Sequence, residues 1–209
     1  MLAENPHLAS PVVYAGAPIE HARVIALLLH GRDQDPATMD EAVVRRIALP
    51  GVAYVAPAAA DRSWYPAGFM APIADNEPRL GYALERIALL ADELATPHVV
   101  IGFSQGACLA CEHVYRNRGR TTALIAFTGG LIGPPGITWR SGDELRDLRA
   151  LVAGSVVDPW VPVGRMRETA DAFARLGARV TTQFYRGEGH AVSDPEIAHA
   201  RVLLEELGA

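Results

Sequence analysis

Ser104, Asp158 and His190 are the three side chains whose types and order along the chain could together perform nucleophilic chemistry. A serine hydroxyl is a poor nucleophile at neutral pH. It needs a histidine within hydrogen-bond reach to take its proton, and a carboxylate to hold the imidazole in one tautomer. Ser104 lies in Gly102-Phe103-Ser104-Gln105-Gly106, between the apolar run Val99-Val100-Ile101 and a helical pattern that begins at Gln105. In that setting a Gly-x-Ser-x-Gly sequence forms a sharp, strained strand-to-helix turn that holds the hydroxyl out at the end of a sheet. Side chains at the two glycines would collide with neighbouring elements. The turn also leaves the backbone N–H of Gln105 free at a helix N-terminus, where it can donate to an oxyanion.

Each residue also has a plainer reading. Ser104 could be a small residue in an ordinary turn, and Asp158-Pro159 is a common turn dipeptide, with Asp143, Asp147 and Asp194 as competing carboxylates. The order Ser, Asp, His, with the last two on loops after strand ends, favours the chemical reading. His190 stands in Gly187-Glu188-Gly189-His190, a glycine-rich loop that has no evident structural need for it. A second oxyanion donor is expected from the turn after residues 24–29, where Gly31 permits close approach and the backbone N–H of Arg32 is the candidate. His30 shapes that turn rather than reacting. His7, His21, His98, His113 and His199 are expected to be surface or second-layer residues, and no His/Cys/Asp spacing suggests a metal.

These residues need a scaffold. Residues 24–29 and 99–103 are continuous apolar runs, as strands buried on both faces of a mainly parallel sheet should be. Strands are also predicted at 12–17 (an edge strand), 52–57, 123–127, 148–155 and 179–185. Helices are predicted at 37–47, 79–94, 105–116 and 164–176, and a last helix is opened by Asp194 as cap with Pro195 at its first position. The alternation implies an α/β fold, a mainly parallel sheet with helices on both faces and no large lid domain. Ligands then bind outside the carboxyl ends of the strands, where Ser104, Asp158 and His190 all fall.

The connection 58–78 is long, aromatic and without clear periodicity, so it is expected to be functional. Trp64, Tyr65, Phe69 and Met70 either cover the sheet edge or wall a substrate pocket, the second being favoured. Leu131 and Ile132, in the glycine-rich loop 128–140, are candidates for the opposite wall.

Composition bounds the rest. The chain has 209 residues, half of them apolar, and a formal charge of −5. This suits one domain over residues 1–209 and gives no electrostatic reason to expect nucleic acid or an anionic membrane. No run approaches the roughly 20 apolar residues that span a bilayer, and Met1 to Pro6 lacks the basic start and apolar run of a secretion signal. A cytoplasmic location follows by default. Cys108 and Cys111 form a Cys-x-x-Cys inside the helix after Ser104, not at its exposed start, so they are read as buried packing residues.

With these residues assembled, the chain resembles the phospholipase/carboxylesterase family of α/β-hydrolases, which includes acyl-protein thioesterase-like enzymes and is related to dienelactone hydrolases. The resemblance runs from about Val24 to Leu204. It is carried by Leu29-His30-Gly31, Trp64-Tyr65-Pro66, the Gly-Phe-Ser-Gln-Gly turn, Asp158 with Val161-Pro162, and Gly189-His190. It implies a compact serine esterase acting through an acyl-enzyme on Ser104, with Asp158 and His190 completing the triad, Arg32 and Gln105 as oxyanion donors, no cofactor, and a small-molecule ester as partner. A homodimer is compatible with it. Arg32-Asp33-Gln34-Asp35 departs from the pattern of many relatives and Pro66 from that of the thioesterase branch, so protein deacylation is not implied. An acyl thioesterase, a lysophospholipase, or a ligand-binding protein without turnover are the alternatives.

Overall fold

The computed structural model describes residues 5–94, 96–117, 119–187 and 189–209. Met1 to Glu4, part of the segment expected to carry no secretion signal, lie outside the described residues, as does Glu188 of the glycine-rich loop. Among the described residues seven strands form one sheet: β1 (Val12–Gly16), β2 (Val24–Leu29), β3 (Val52–Pro57), β4 (His98–Phe103), β5 (Thr121–Phe127), β6 (Arg149–Ser155) and β7 (Arg179–Tyr185). Their spatial order is β1-β3-β2-β4-β5-β6-β7. β1 runs antiparallel to β3 at one edge, and every other pairing is parallel. The predicted mainly parallel α/β sheet is therefore present, and so is the predicted edge strand.

Burial explains why these segments are strands. Every residue of β2, β3 and β4 is buried, as a sheet covered on both faces requires. Successive side chains alternate between two cores: Leu27, Leu29, Val100, Leu124 and Ala126 lie on one face, and Ala26, Leu28, Val99, Ile101 and Ile125 on the other.

The first face is covered by α3 (Arg79–Glu93), α4 (Gln105–Asn117) and α5 (Val163–Arg175). The second is covered by α6 (Asp194–Leu207) and by the segment that begins as α1 (Pro36–Met39), continues through a π-helical turn (Asp40–Val44) and ends as α2 (Arg45–Ile47). Met39, Val43 and Ile47, spaced by four residues, are all fully buried. The segment 36–47 is thus helical throughout, starting one residue earlier than the sequence suggests. Asp35 caps it, its Oδ1 accepting the amide of Thr38 at 3.0 Å.

The start of α6 corrects an expectation. Ser193, not Asp194, is the N-cap. Its Oγ accepts the Glu196 amide while Glu196 Oε2 accepts the Ser193 amide at 2.7 Å, a reciprocal capping box. Asp194 pairs instead with Arg46 at 2.7 Å. No helix among the described residues is long and apolar enough to cross a membrane.

Candidate active site

The turn between β4 and α4 sets the position of Ser104. Its φ of +54° is left-handed, a conformation that a non-glycine residue adopts only where the surroundings impose it. Two contacts impose it here: the Ser104 amide donates to the carbonyl of Phe127 on β5 at 3.0 Å, and its carbonyl accepts the amide of Cys108 at 3.0 Å. The flanking glycines let α4 press onto the sheet. A Cβ on Gly106 would collide with the carbonyls of Leu29 and His30, and one on Gly102 with the backbone of Gly106.

The loops after β6 and β7 bring two more side chains to this turn. His190 Nε2 lies 2.7 Å from Ser104 Oγ, and His190 Nδ1 lies 2.7 Å from Asp158 Oδ2. A carboxylate can only accept, so Nδ1–H donates to Asp158, and Nε2 is left to accept the Ser104 hydroxyl proton. The Asp158 side chain is fully buried. Its other oxygen, Oδ1, accepts the amides of Trp160 and Val161 at 2.7 Å each, so the carboxylate is anchored by its own loop. The ring of Phe103 packs against the His190 ring with centroids 5.1 Å apart.

Arg32 and Gln105 border the same cavity as Ser104, and their backbone amides have no acceptor among the described residues. The turn holding Arg32 is braced from behind. His30 donates from Nδ1 to the Gly31 carbonyl at 2.7 Å and accepts the Ala59 amide at Nε2, at 2.9 Å. Burial lowers its pKa and keeps it neutral. Its place is structural, as expected.

Side chains from the turn also organise the aromatic connection. The Arg32 guanidinium donates to the carbonyls of Tyr65, Pro66 and Ala67 at 2.8 to 2.9 Å. Gln105 accepts the Trp64 amide at 3.0 Å and donates to the Tyr65 carbonyl at 2.8 Å. The 58–78 connection is therefore bound to both candidate oxyanion residues.

The cavity above Ser104 measures about 310 Å³. Of the expected wall residues, Tyr65 and Phe69 border it, whereas Trp64, Met70 and Leu131 do not. Trp64 is fully buried beneath the loop, its Nε1 donating to the His30 carbonyl at 2.8 Å. Leu131 is equally buried, its amide donating to Thr169 Oγ1 at 2.9 Å and its carbonyl accepting from Arg165. Trp160 and Val161, which are not among the expected wall residues, also line it, together with Asp33, Gly68 and Cys108. Trp160 is 73% exposed. Its position two residues beyond a strand-end carboxylate was the available signal.

Of the remaining histidines, His7, His98 and His113 are buried, and His199 Nδ1 donates to the Pro195 carbonyl within α6 at 2.8 Å. His7 accepts the Ala60 amide at Nδ1 and reaches the Trp64 carbonyl with Nε2, so it props the aromatic loop from below. Cys108 and Cys111 are free and buried, as expected.

Comparison with known proteins agrees with this architecture. Residues 92–207 match the family described as Phospholipase/Carboxylesterase. Among solved structures, a phospholipase/carboxylesterase from Dyadobacter fermentans is similar at 29% identity with a TM-score of 0.82, covering 94% of this chain and 97% of its own. Acyl-protein thioesterase 2 from Zea mays (16% identity, TM-score 0.75, 96% and 100% covered) and a carboxylesterase from Bacillus cereus (16%, 0.74, 98% and 100%) share the fold. No match was found among curated proteins. The chain belongs to the phospholipase/carboxylesterase family of α/β-hydrolases and is an enzyme of the carboxylesterase and thioesterase kind.

Proposed function

We propose that the protein is a serine esterase that cleaves carboxylic esters of small molecules through an acyl-enzyme on Ser104. The observation that carries this reading is the pair of 2.7 Å contacts linking Ser104 Oγ, the His190 ring and Asp158 Oδ2. His190 Nε2 takes the Ser104 proton as Oγ attacks the acyl carbonyl, and Asp158 stabilises the imidazolium that forms. The carbonyl oxygen gains the negative charge and accepts from the N–H groups of Arg32 and Gln105. Collapse of the tetrahedral species breaks the bond to the alcohol, which leaves with the proton from His190. Water then repeats the sequence with His190 as base, releasing the acid and returning the proton to Ser104.

Tyr65, Phe69, Trp160 and Val161 are the substrate walls in this reading. The reaction calls for no cofactor, and we take residues 1–209 as one catalytic domain. Two buried free thiols support a cytoplasmic setting.

Ser104→Ala, assayed on an activated aryl ester, is expected to lower kcat by about 10⁴-fold or more. A fluorophosphonate should form a covalent adduct at Ser104 of the native enzyme. Full hydrolysis by the Ser104→Ala protein would overturn the assignment.

A further inference from the structure

The loop that carries His190 has little of its own to fix it. Gly189, the residue before the histidine, has a φ of +31° with open space where a Cβ would stand. Glycine enters that conformation without steric cost and is not confined to it. The loop is tied at its root, where the Tyr185 hydroxyl and Ser193 Oγ are hydrogen-bonded at 2.6 Å and join the end of β7 to the cap of α6. Ser155 Oγ reaches the Gly187 carbonyl only at 3.4 Å. A firmer hold lies two residues after His190: the Val192 carbonyl accepts from Arg46 Nη1 at 2.7 Å.

Arg46 reaches this loop from α2, in the N-terminal half of the chain. Met39, Val43 and Ile47 seat its helical segment in the second core, and Val192, 8% exposed, packs in the same core. Donor and acceptor are thus each carried on buried neighbours. Arg46 Nη1 also donates to the Ala42 carbonyl at 3.0 Å, and Nη2 to Asp194 Oδ1 at 2.7 Å. A guanidinium held at three points is a rigid fork, and hydrogen bonds from a charged donor are the stronger kind. The Asp194 side chain is 95% exposed, so its ion pair with Arg46 contributes little. The bond to Val192 is the one that reaches the catalytic loop.

We infer, on the reading that Ser104 is the nucleophile and His190 its base, that Arg46 is a positioning residue of the reaction: its grip on the Val192 carbonyl keeps the His190 ring in line between Ser104 Oγ and Asp158 Oδ2. His190 Nε2 serves twice, taking the Ser104 proton and then giving it to the leaving oxygen. A misplacement of about 1 Å in such a geometry costs on the order of 10²-fold. The second task weighs most with a basic leaving group, because p-nitrophenoxide departs without a proton whereas the more basic phenoxide gains from one.

The test measures kcat/KM for p-nitrophenyl acetate and phenyl acetate in the wild type, Arg46→Met and Asp194→Asn. The ratio of the two esters is taken within each protein, so a loss of folded enzyme cancels. Methionine keeps the unbranched stem of Arg46 and removes its donors. In Arg46→Met the ratio, p-nitrophenyl over phenyl, should rise at least about 5-fold, and fluorophosphonate labelling of Ser104 should slow at least about 10-fold. In Asp194→Asn, which keeps the bond to Val192, both readouts should stay within about 2-fold of wild type. Arg46→Lys is the second variant should the methionine protein not fold. A lone ammonium cannot hold the Ala42 and Val192 carbonyls in fixed geometry, so its ratio should rise at least about 2-fold.

A wild-type ratio in the Arg46 variant, labelling of Arg46→Met at the wild-type rate, or an equal rise in Asp194→Asn would each overturn the inference. A lowered rate with an unchanged ratio is what a merely structural arginine would give. Should the wild type hydrolyse both esters and be labelled at Ser104 while the ratio does not move in the variant, this inference alone fails. Should the wild type hydrolyse neither and stay unlabelled, the esterase reading fails and this inference with it.

Discussion

Gln105 Nε2 donates to the carbonyl of Tyr65 at 2.8 Å, joining the residue after the candidate nucleophile to the wall of its cavity. The same side chain accepts the buried Trp64 amide at 3.0 Å. Gln105→Leu keeps the backbone N–H proposed for the oxyanion but leaves that amide without an acceptor. We expect a loss of about 1–3 kcal/mol in stability to urea, together with a raised KM. An unchanged unfolding midpoint would show that the loop does not depend on this bridge.

Arg32 borders the cavity and spends its side chain on three loop carbonyls. Lysine cannot hold that fork, because its ammonium is a point donor on a flexible stem. Arg32→Lys and Arg32→Met should both raise KM several-fold, with kcat falling less. Steady-state kinetics on one short aryl ester tests this, and a loss confined to kcat would count against a role in holding the loop.

Asp158→Asn separates the two tasks of that carboxylate. An asparagine Oδ1 can still accept the Trp160 and Val161 amides, so the loop should keep its shape. Its NH₂ group would then face His190 Nδ1 and force the wrong tautomer. We expect kcat to fall on the order of 10⁴-fold, with an unchanged melting temperature. Retention of activity would remove Asp158 from the proposed triad.

Acid should loosen the aromatic loop from beneath. Burial lowers the pKa of His7 from 6.5 to about 4. In this window the unfolded chain binds the extra proton and the folded chain does not, so the contribution of His7 to stability is complete above about pH 6.5 and is lost as the pH falls toward about 4. His113, also lowered to about 4 by burial, acts in the same direction. Glu112 and Glu196, raised by burial, act oppositely. The clean comparison is therefore between proteins: wild type should lose stability more steeply than His7→Gln between pH 6.5 and 4, measured by thermal melting. Parallel curves would sink this account.

The scaffold was legible because its signals are local. An apolar run such as 24–29, of strand length and closed by a turn, reads as a strand covered on both faces, and chain order places Ser104, Asp158 and His190 after strand ends. Where two local signals competed, the sequence misled: Asp194-Pro195 looks like a helix start, yet Ser193 with Glu196 makes the better cap. The cavity walls were least legible because they depend on contacts between distant loops. Nothing near Trp64 states that its indole will be spent on the His30 carbonyl, and the Leu131 carbonyl is held by Arg165, more than thirty residues away. Trp160 and Val161 are held by the amides they give to Asp158, and Val161 also by packing against Val152, Met166 and Ala170.

The close approach of α4 to the sheet at Gly106 has an evolutionary consequence. The helix start rests on the carbonyls of Leu29 and His30, so the location of the serine is defined by main chain meeting main chain. A joint of that kind does not register changes in surrounding side chains. The wall residues can therefore be exchanged in large combinatorial libraries, altering which ester is accepted, while the turn that carries the serine stays in place.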